Sequence, residues 1–391
     1  MRLTAGWAAH GVPRLLVRNG ALTDVGQVAA DLGMRNALVV TDPGVRAAGW
    51  ADPVAFSLRR AGTNAAVWDH VRPGPPEEVV HRCRDRMLAD EHDGLVAVGG
   101  GSCVDVAKAV SGLVAAGGRL RDHEGPGRLH RAGPPVIAVP TALCGGAEVS
   151  RHAVITGAGG HRYTVSGPPL APRAVVADPR VFGTAPREVL VDTVADALIH
   201  AVESYLARAA TPYSDIFARA AVASITRAAP RALGARPDAG TWMNELVTGC
   251  LAAGVAMAET DTGPIHALGY PLTSEFGIPH GRAGALVAGS ALRALTPAAP
   301  DRCLDLLDLW AAPGGPAEPA GLAGSVERLI EGLGIRRSLA AHGVPRNRLS
   351  SLAEQAASHR PVLRNAPATL TETDLHAVYD LAWTSAGRVR L

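Results

Sequence analysis

Apolar positions in the first half of the chain fall into short continuous runs, separated by stretches where they recur at helical spacing. The runs predict strands at 14–18, 37–41, 65–68, 94–98, 135–139 and 174–177. Between them the spacing predicts helices over 24–33, around 53–62, over 76–90, and from about Cys103 onward. Strand and helix in alternation argue for a parallel sheet with crossover helices, since a parallel pair needs a long connection. A β-rich excursion at 152–155 and 162–165 interrupts the alternation after a turn-rich stretch at 140–146. From Pro186 onward the pattern changes to helices at 186–208, 213–229, 242–258, 282–295, 324–334 and 372–386, with 311–321 a Pro/Gly/Ala-rich surface loop. The expectation is an α/β domain over 1–182 and an all-helical domain over 183–391, joined near 178–184.

Composition narrows the partners. With 47% apolar residues and 19% charged, the chain has the material for two packed cores and not the profile of a disordered one. A net charge of +2 gives no electrostatic case for nucleic acid or an anionic membrane. Apolar stretches such as 112–118 fall well short of the roughly 20 residues that a bilayer span needs. The first 22 residues lack the basic head, apolar run and small-residue cleavage site of a signal peptide. Five scattered cysteines (Cys83, Cys103, Cys144, Cys250, Cys303) form no CxxC pair, which points to a reducing, cytoplasmic setting. Of the 38 basic residues a single one, Lys108, is lysine. A lysine that persists in an arginine-rich chain marks a place where a compact ammonium is wanted and a wide planar fork is not, unless it persists by chance.

The first chemical signal follows the strand at 94–98. Gly99-Gly100-Gly101-Ser102 leads at once into the helix that carries Asp105 and Lys108. Glycines let a backbone approach a pyrophosphate, and the helix start offers unpaired N–H groups and the positive end of its dipole. The spacing matches neither GxGxxG nor a Walker loop, and a plain tight turn is the alternative. Asp42 ends the second strand, where a carboxylate meets adenosine ribose hydroxyls and repels a 2′-phosphate, so NAD is expected over NADP; a strand-ending Asp-Pro is also an ordinary turn.

The second signal lies downstream. Asp196 and His200 are four apart on a helical pattern and share one face. His266 follows Pro264 near a helix start, and His280 follows Pro279 at another. One carboxylate and three imidazoles suit Fe²⁺ or Zn²⁺, though the four residues need not meet, and Asp196 with His200 also reads as a simple helix pair.

Together these segments resemble the iron-containing (group III) alcohol dehydrogenases. Residues 99–108 match the family signature GGGSxxDxAK, residues 196–203 resemble its DALxHAxE helix, and residues 278–281 contain its PHG segment. The resemblance implies an α/β dinucleotide-binding domain and a helical C-terminal domain with a metal in the cleft between them (a dehydroquinate-synthase-like fold). It places Asp196, His200, His266 and His280 on the metal-ligand positions, with Fe²⁺ as the ion and Zn²⁺ as the alternative. It implies NAD contacts from Asp42, Gly99, Gly100, Gly101, Ser102, Asp105, Lys108, Thr141, Ser150 and Arg162. The reaction it implies is hydride transfer between the nicotinamide and an alcohol or aldehyde, in a homodimer, with no nucleic acid or membrane partner.

Departures from the family pattern bear on the substrate. The family segment PTTxGTGSE reads PTALCGGAE here (140–148), which weakens the expected contacts on the nicotinamide side. Tyr270 stands where many members carry a histidine assigned to proton relay, and is expected to take a catalytic part. Arg282, just after the last ligand, either faces an anionic substrate or sits as a solvated helix-start arginine. The segment 266–281 is most similar to a phosphonoacetaldehyde-reductase branch, and a dehydrogenase of a daptide-type peptide pathway, oxidising a β-hydroxy group with decarboxylation, is the alternative. Two other classes stay open: a dehydroquinate-synthase-like lyase that uses NAD only transiently, and a scaffold protein without activity.

Overall fold

The computed structural model describes residues 6–142, 145–234, 239–310 and 318–384. Leu143 and Cys144, most of the expected loop at 311–321, and residues 385–386 of the last expected helix lie outside the described residues. Chain contacts divide the molecule into an α/β unit, His10–Ala185, and a helical unit, Met1–Ala9 with Pro186–Leu391. The division therefore falls three residues after the expected boundary, and the N-terminal arm goes with the helices rather than the sheet. A physical reason for the second difference is visible at Trp7, whose ring stacks on Tyr213 of the helical unit (centroids 6.1 Å apart, 22° between planes).

In the α/β unit the strands are β1 (Arg14–Val17), β2 (Asn36–Val40), β3 (Asn64–Trp68), β4 (Gly94–Gly99), β5 (Val136–Pro140), β6 (His152–Thr156), β7 (Arg162–Ser166) and β8 (Ala174–Ala177). Helices α1 (Val25–Asp31), α2 (Pro43–Ala47), α3 (Ala51–Arg60), α4 (Glu77–Ala89), α5 (Gly101–Ala116) and α6 (Pro179–Phe182) connect and follow them. Six strands form one parallel sheet in the order β1-β8-β5-β4-β2-β3. Its inner strands β4, β5 and β8 are buried throughout, as expected when helices cover both faces, while edge strand β1 is not. Strands β6 and β7 form the β-rich excursion as a separate antiparallel pair. A core of Val25, Val28, Leu58, Val96, Val98, Ile137 and Val176 packs under the sheet's helices. Register does the positioning: Val40 of β2 lies opposite Ala97 of β4, so the carboxyl ends of the two strands, Asp42 and Gly99, finish side by side.

The helical unit holds α7 (Arg187–Leu206), α8 (Pro212–Leu233), α9 (Ala239–Thr260), α10 (Pro264–Phe276), α11 (His280–Leu295), α12 (Pro300–Leu307), α13 (Gly321–Gly332), α14 (Leu349–Ser358), α15 (Arg360–Leu363) and α16 (Glu372–Thr384). Helices α12, α14 and α15 are absent from the expected set, and of α10 only a start near His266 is expected; α12 is short and α15 is a single turn. Helix α7 packs against α8, α9 and α11, and α10 against α11. Nearly every residue of α7 from Leu190 to Leu206 is buried, the mark of a central helix. Its buried polar side chains, Asp192, Asp196, His200 and Glu203, recur at helical spacing and so form one stripe through an otherwise apolar element. No described helix is long and apolar enough to cross a membrane.

Candidate metal centre and glycine loop

The polar stripe of α7 is met by two helix starts. Pro264 opens α10 and sets His266 in its first turn, while His280 is the first residue of α11. His266 Nε2 stands 3.5 Å from Asp196 Oδ1, His200 Nδ1 3.9 Å from Asp196 Oδ2, and His280 Nε2 3.9 Å from Asp196 Oδ1. The rings of His200 and His266 stack at 4.5 Å and 11°. One donor atom each from Asp196, His200 and His266 lie within 4.8 Å of one another. Asp196, His200 and His266 are buried, while the His280 side chain is 41% exposed and marks the open side of the cluster.

Two observations show that this cluster fits a divalent cation. Buried nitrogens His200 Nδ1 and His266 Nε2 have no hydrogen-bond partner, an arrangement that is costly unless something else satisfies them. The protonation states of His200 and Asp196 also suit ligands. Burial pushes His200 down to about 4, with His266 and His280 adding to the shift and Asp196 opposing it, so its imidazole is neutral at pH 7. For Asp196, burial would raise the carboxyl, but the surrounding imidazoles overcome that and hold it below the ordinary carboxylate range. Burial works against protonation of His266 too, yet Glu203 and Asp196 carry it well above its usual value; a cation would displace the proton from Nε2.

Glu203 was quoted in the sequence motif without a role, and the structure supplies one. Its Oε2 accepts from His266 Nδ1 at 2.5 Å and from Gly263 N–H at 2.9 Å, while Oε1 accepts from Ile265 N–H. It therefore caps the start of α10, whose own N-cap Gly263 offers no side chain, and fixes His266 with Nε2 turned toward Asp196. A Cβ on Gly263 would stand 2.9 Å from Glu203 Oε1, and one on Gly281 would stand 2.0 Å from Asp192 O and 2.8 Å from Asp196 Cβ. Glycine after His280 is thus what lets α11 approach α7 closely enough to bring His280 up to Asp196.

The two expected catalytic residues are placed differently. Tyr270, one turn after His266, stacks on His280 at 5.9 Å and 12°, and its hydroxyl lies 3.4 Å from Thr262 Oγ1. Arg282 gives its Nε to Asp192 Oδ1 at 2.7 Å and is partly buried, which ties α11 to α7.

In the α/β unit the glycine loop is built for close approach. Gly99 has φ +156°, and a Cβ there would stand 2.4 Å from Cys103 Sγ. Gly100 has open space where a Cβ would be, and no side chain caps the start of α5, where Gly101 and Ser102 form the first turn. Thr141 N–H donates to Gly99 O at 3.1 Å, which sets it beside the loop. Asp42 is also beside it: Oδ1 caps α2 through Val45 N–H at 2.9 Å, and Oδ2 lies 3.5 Å from the Cys103 thiol.

Further residues expected near the cofactor have protein partners or places of their own. The Lys108 ammonium is wholly buried, 3.3 Å from Asp105 Oδ1, and donates to Ala147 O at 2.7 Å, to Ser150 Oγ at 3.5 Å and to His152 O. Asp105 in turn accepts from Val154 N–H at 3.2 Å. Lys108, Asp105 and Ser150 thus form an internal post that holds the segment 147–154 on α5. Arg162 is exposed at the start of β7, opposite Thr156.

An uncapped helix start after a glycine loop in one unit, and imidazoles gathered around an ionised carboxylate in the other, are the equipment of metal-assisted, nucleotide-using oxidoreductases. The comparisons give the family. The model described as "Iron-containing alcohol dehydrogenase" matches residues 13–179, and that described as "Fe-containing alcohol dehydrogenase family, C-terminal" matches residues 190–383. Long-chain-alcohol dehydrogenase 1 of Geobacillus thermodenitrificans is 30% identical over 93% of this chain and 93% of its own. The solved structure of a 1,3-propanediol oxidoreductase superposes with a TM-score of 0.89 at 28% identity, covering 95% of this chain and 98% of that one. A sulfoacetaldehyde reductase from Bifidobacterium kashiwanohense, solved with NAD+, shares the fold (TM-score 0.88, 23% identity, 98% of this chain and 100% of that one). The chain belongs to the iron-containing alcohol dehydrogenase family, and is an oxidoreductase acting on CH–OH groups.

Proposed function

We propose that the protein is an NAD(H)-dependent alcohol dehydrogenase or aldehyde reductase, in which Asp196, His200, His266 and His280 hold Fe²⁺. The observation that carries this reading is the pair of buried nitrogens without a hydrogen bond, His200 Nδ1 and His266 Nε2, beside the Asp196 carboxylate. Iron held there supplies Lewis acidity toward a substrate oxygen, and NAD supplies the hydride acceptor. The chain's own residues do the rest. Glu203 keeps the Nδ1 proton of His266 and thereby its tautomer. His280, the most exposed of the four, borders the side from which a small alcohol or aldehyde enters. Tyr270 stands against His280 and presents a phenol that can donate a hydrogen bond or orient a water. The uncapped start of α5 takes the pyrophosphate, and Asp42 beside it favours an unphosphorylated ribose.

Arg282 lends no support to a phosphonate substrate while its Nε is engaged by Asp192. The four cysteines among the described residues are free and buried, which fits a reducing compartment such as the cytoplasm. The test is NADH consumption across a panel of aldehydes, with metal analysis of the wild type and His266→Ala. Metal and turnover should vanish together in the variant; a variant with full metal and full rate refutes the ligand assignment. Turnover without net NADH change would instead point to a lyase.

A further inference from the structure

We propose that Asn365 is a positioning residue for the metal centre: it clamps the turn 260–262 that delivers His266 and Tyr270 to the site. The inference rests on the metal reading above. Asp261, between α9 and α10, is one of the few described non-glycine residues in the left-handed region, with φ 60°. A turn of that kind needs support for the carbonyls left open at the end of α9. Asn365, which follows α15 and is distant in sequence, provides it. Its amide Nδ2 donates to Thr260 O at 2.7 Å and Thr262 O at 3.1 Å, with Asp261 O at 3.5 Å. Both Nδ2 hydrogens are thereby used on one turn. On its other side, Oδ1 accepts from Ala209 N–H at 3.2 Å and the Asn365 carbonyl accepts from Arg208 N–H at 2.8 Å, which anchors the clamp to the chain just past α7.

What the clamp holds is next in sequence. Thr262 Oγ1 lies 3.4 Å from the Tyr270 hydroxyl, and Gly263 and Ile265 give their N–H groups to Glu203, which also holds His266 Nδ1. The start of α10 is thus fixed from two sides, by Glu203 of α7 and, through residues 260–262, by Asn365. Neither near-isosteric aspartate nor alanine serves both sides. Aspartate keeps the acceptor for Ala209 but sets a carboxylate against three carbonyl oxygens, and alanine provides neither group.

The experiment titrates the full-length metal-free protein with Zn²⁺ against a competing chelator, for wild type, Asn365→Asp, Asn365→Ala and a control, Ser338→Ala. The control removes buried bonds to Trp383 O and Ala341 N–H in the same helical unit, with no bond to α7 or α10. Loss of a group that orients a ligand typically weakens metal binding about 10–100-fold. Both Asn365 variants should therefore lose about tenfold or more in Zn²⁺ affinity, while NADH affinity, a property of the other unit, stays within about twofold. Ser338→Ala should lower the unfolding midpoint and leave Zn²⁺ affinity near wild type. Equal Zn²⁺ affinity in wild type and Asn365→Asp overturns the proposal, as does an equal loss in Ser338→Ala. Should Asn365→Ala fail to fold, Asn365→Asp, nearly isosteric, decides alone. A wild type that binds no Zn²⁺ or Fe²⁺ overturns the metal reading itself, a result distinct from failure of the clamp.

Discussion

Lys108→Met tests the meaning of the chain's single lysine. The substitution keeps the length of the side chain and removes the ammonium from a site with no solvent exposure. It leaves the Asp105 carboxylate, 3.3 Å away and 13% exposed, without its cation, and leaves Ala147 O and His152 O without their donor. Removing one partner of a buried ion pair costs about 3–5 kcal/mol. The packing that methionine restores offsets part of the orphaned carbonyls, so the same range, about 3–5 kcal/mol, is the expected net loss. Denaturant unfolding of the full-length protein reads it as a lower midpoint for the α/β unit. Adding Asp105→Asn removes the stranded charge and should recover part of the loss, with a coupling of at least about 1 kcal/mol in the double-mutant cycle. Lys108→Arg asks whether arginine fits: the larger guanidinium in a closed space should cost about 1–3 kcal/mol. A Lys108→Met variant within about 1 kcal/mol of wild type would refute the reasoning, because a saturated buried ammonium cannot be removed so cheaply.

Three further outcomes follow from distances at the two sites. Gly281→Ala drives a methyl into Asp192 O and should push α11 off α7, lowering metal content per chain by element analysis while NADH binding persists. Arg282→Ala, which breaks a partly exposed pair with Asp192, should lower stability by about 1 kcal/mol and change the Michaelis constants of anionic and neutral aldehydes alike; a rise for anionic aldehydes alone would show that the guanidinium meets substrate. Asp42→Gly should narrow the preference for NADH over NADPH, measured by fluorescence titration, and equal affinities in the wild type would remove the basis for that role.

Much of this was legible before any coordinates. Alternation of apolar runs with helical spacing determined a parallel sheet, because strands buried on both faces read as unbroken apolar runs. The four-residue step from Asp196 to His200 determined that they share a face, since local spacing on a helix is geometry. Three glycines at a strand end marked a tight loop leading straight into a helix start. Single-turn and short helices such as α15 and α12 escaped because they carry too few residues for a period to show.

What only the tertiary structure decided are meetings between residues far apart in sequence. That His266 and His280 reach Asp196 depends on two helix starts landing on one stripe of α7, which no local pattern encodes. That Glu203 orients His266 across 63 positions, and that Arg282 gives its Nε to Asp192, depends equally on packing. Lys108 shows the division within a single residue. Composition marked it as a place where arginine would not do, yet its partners, Asp105 on its own helix and the carbonyls of Ala147 and His152, were set by where the β6–β7 pair lies on α5. Local sequence determines which groups share a face; long-range packing determines which faces meet, and the chemistry of a buried polar group follows from the second.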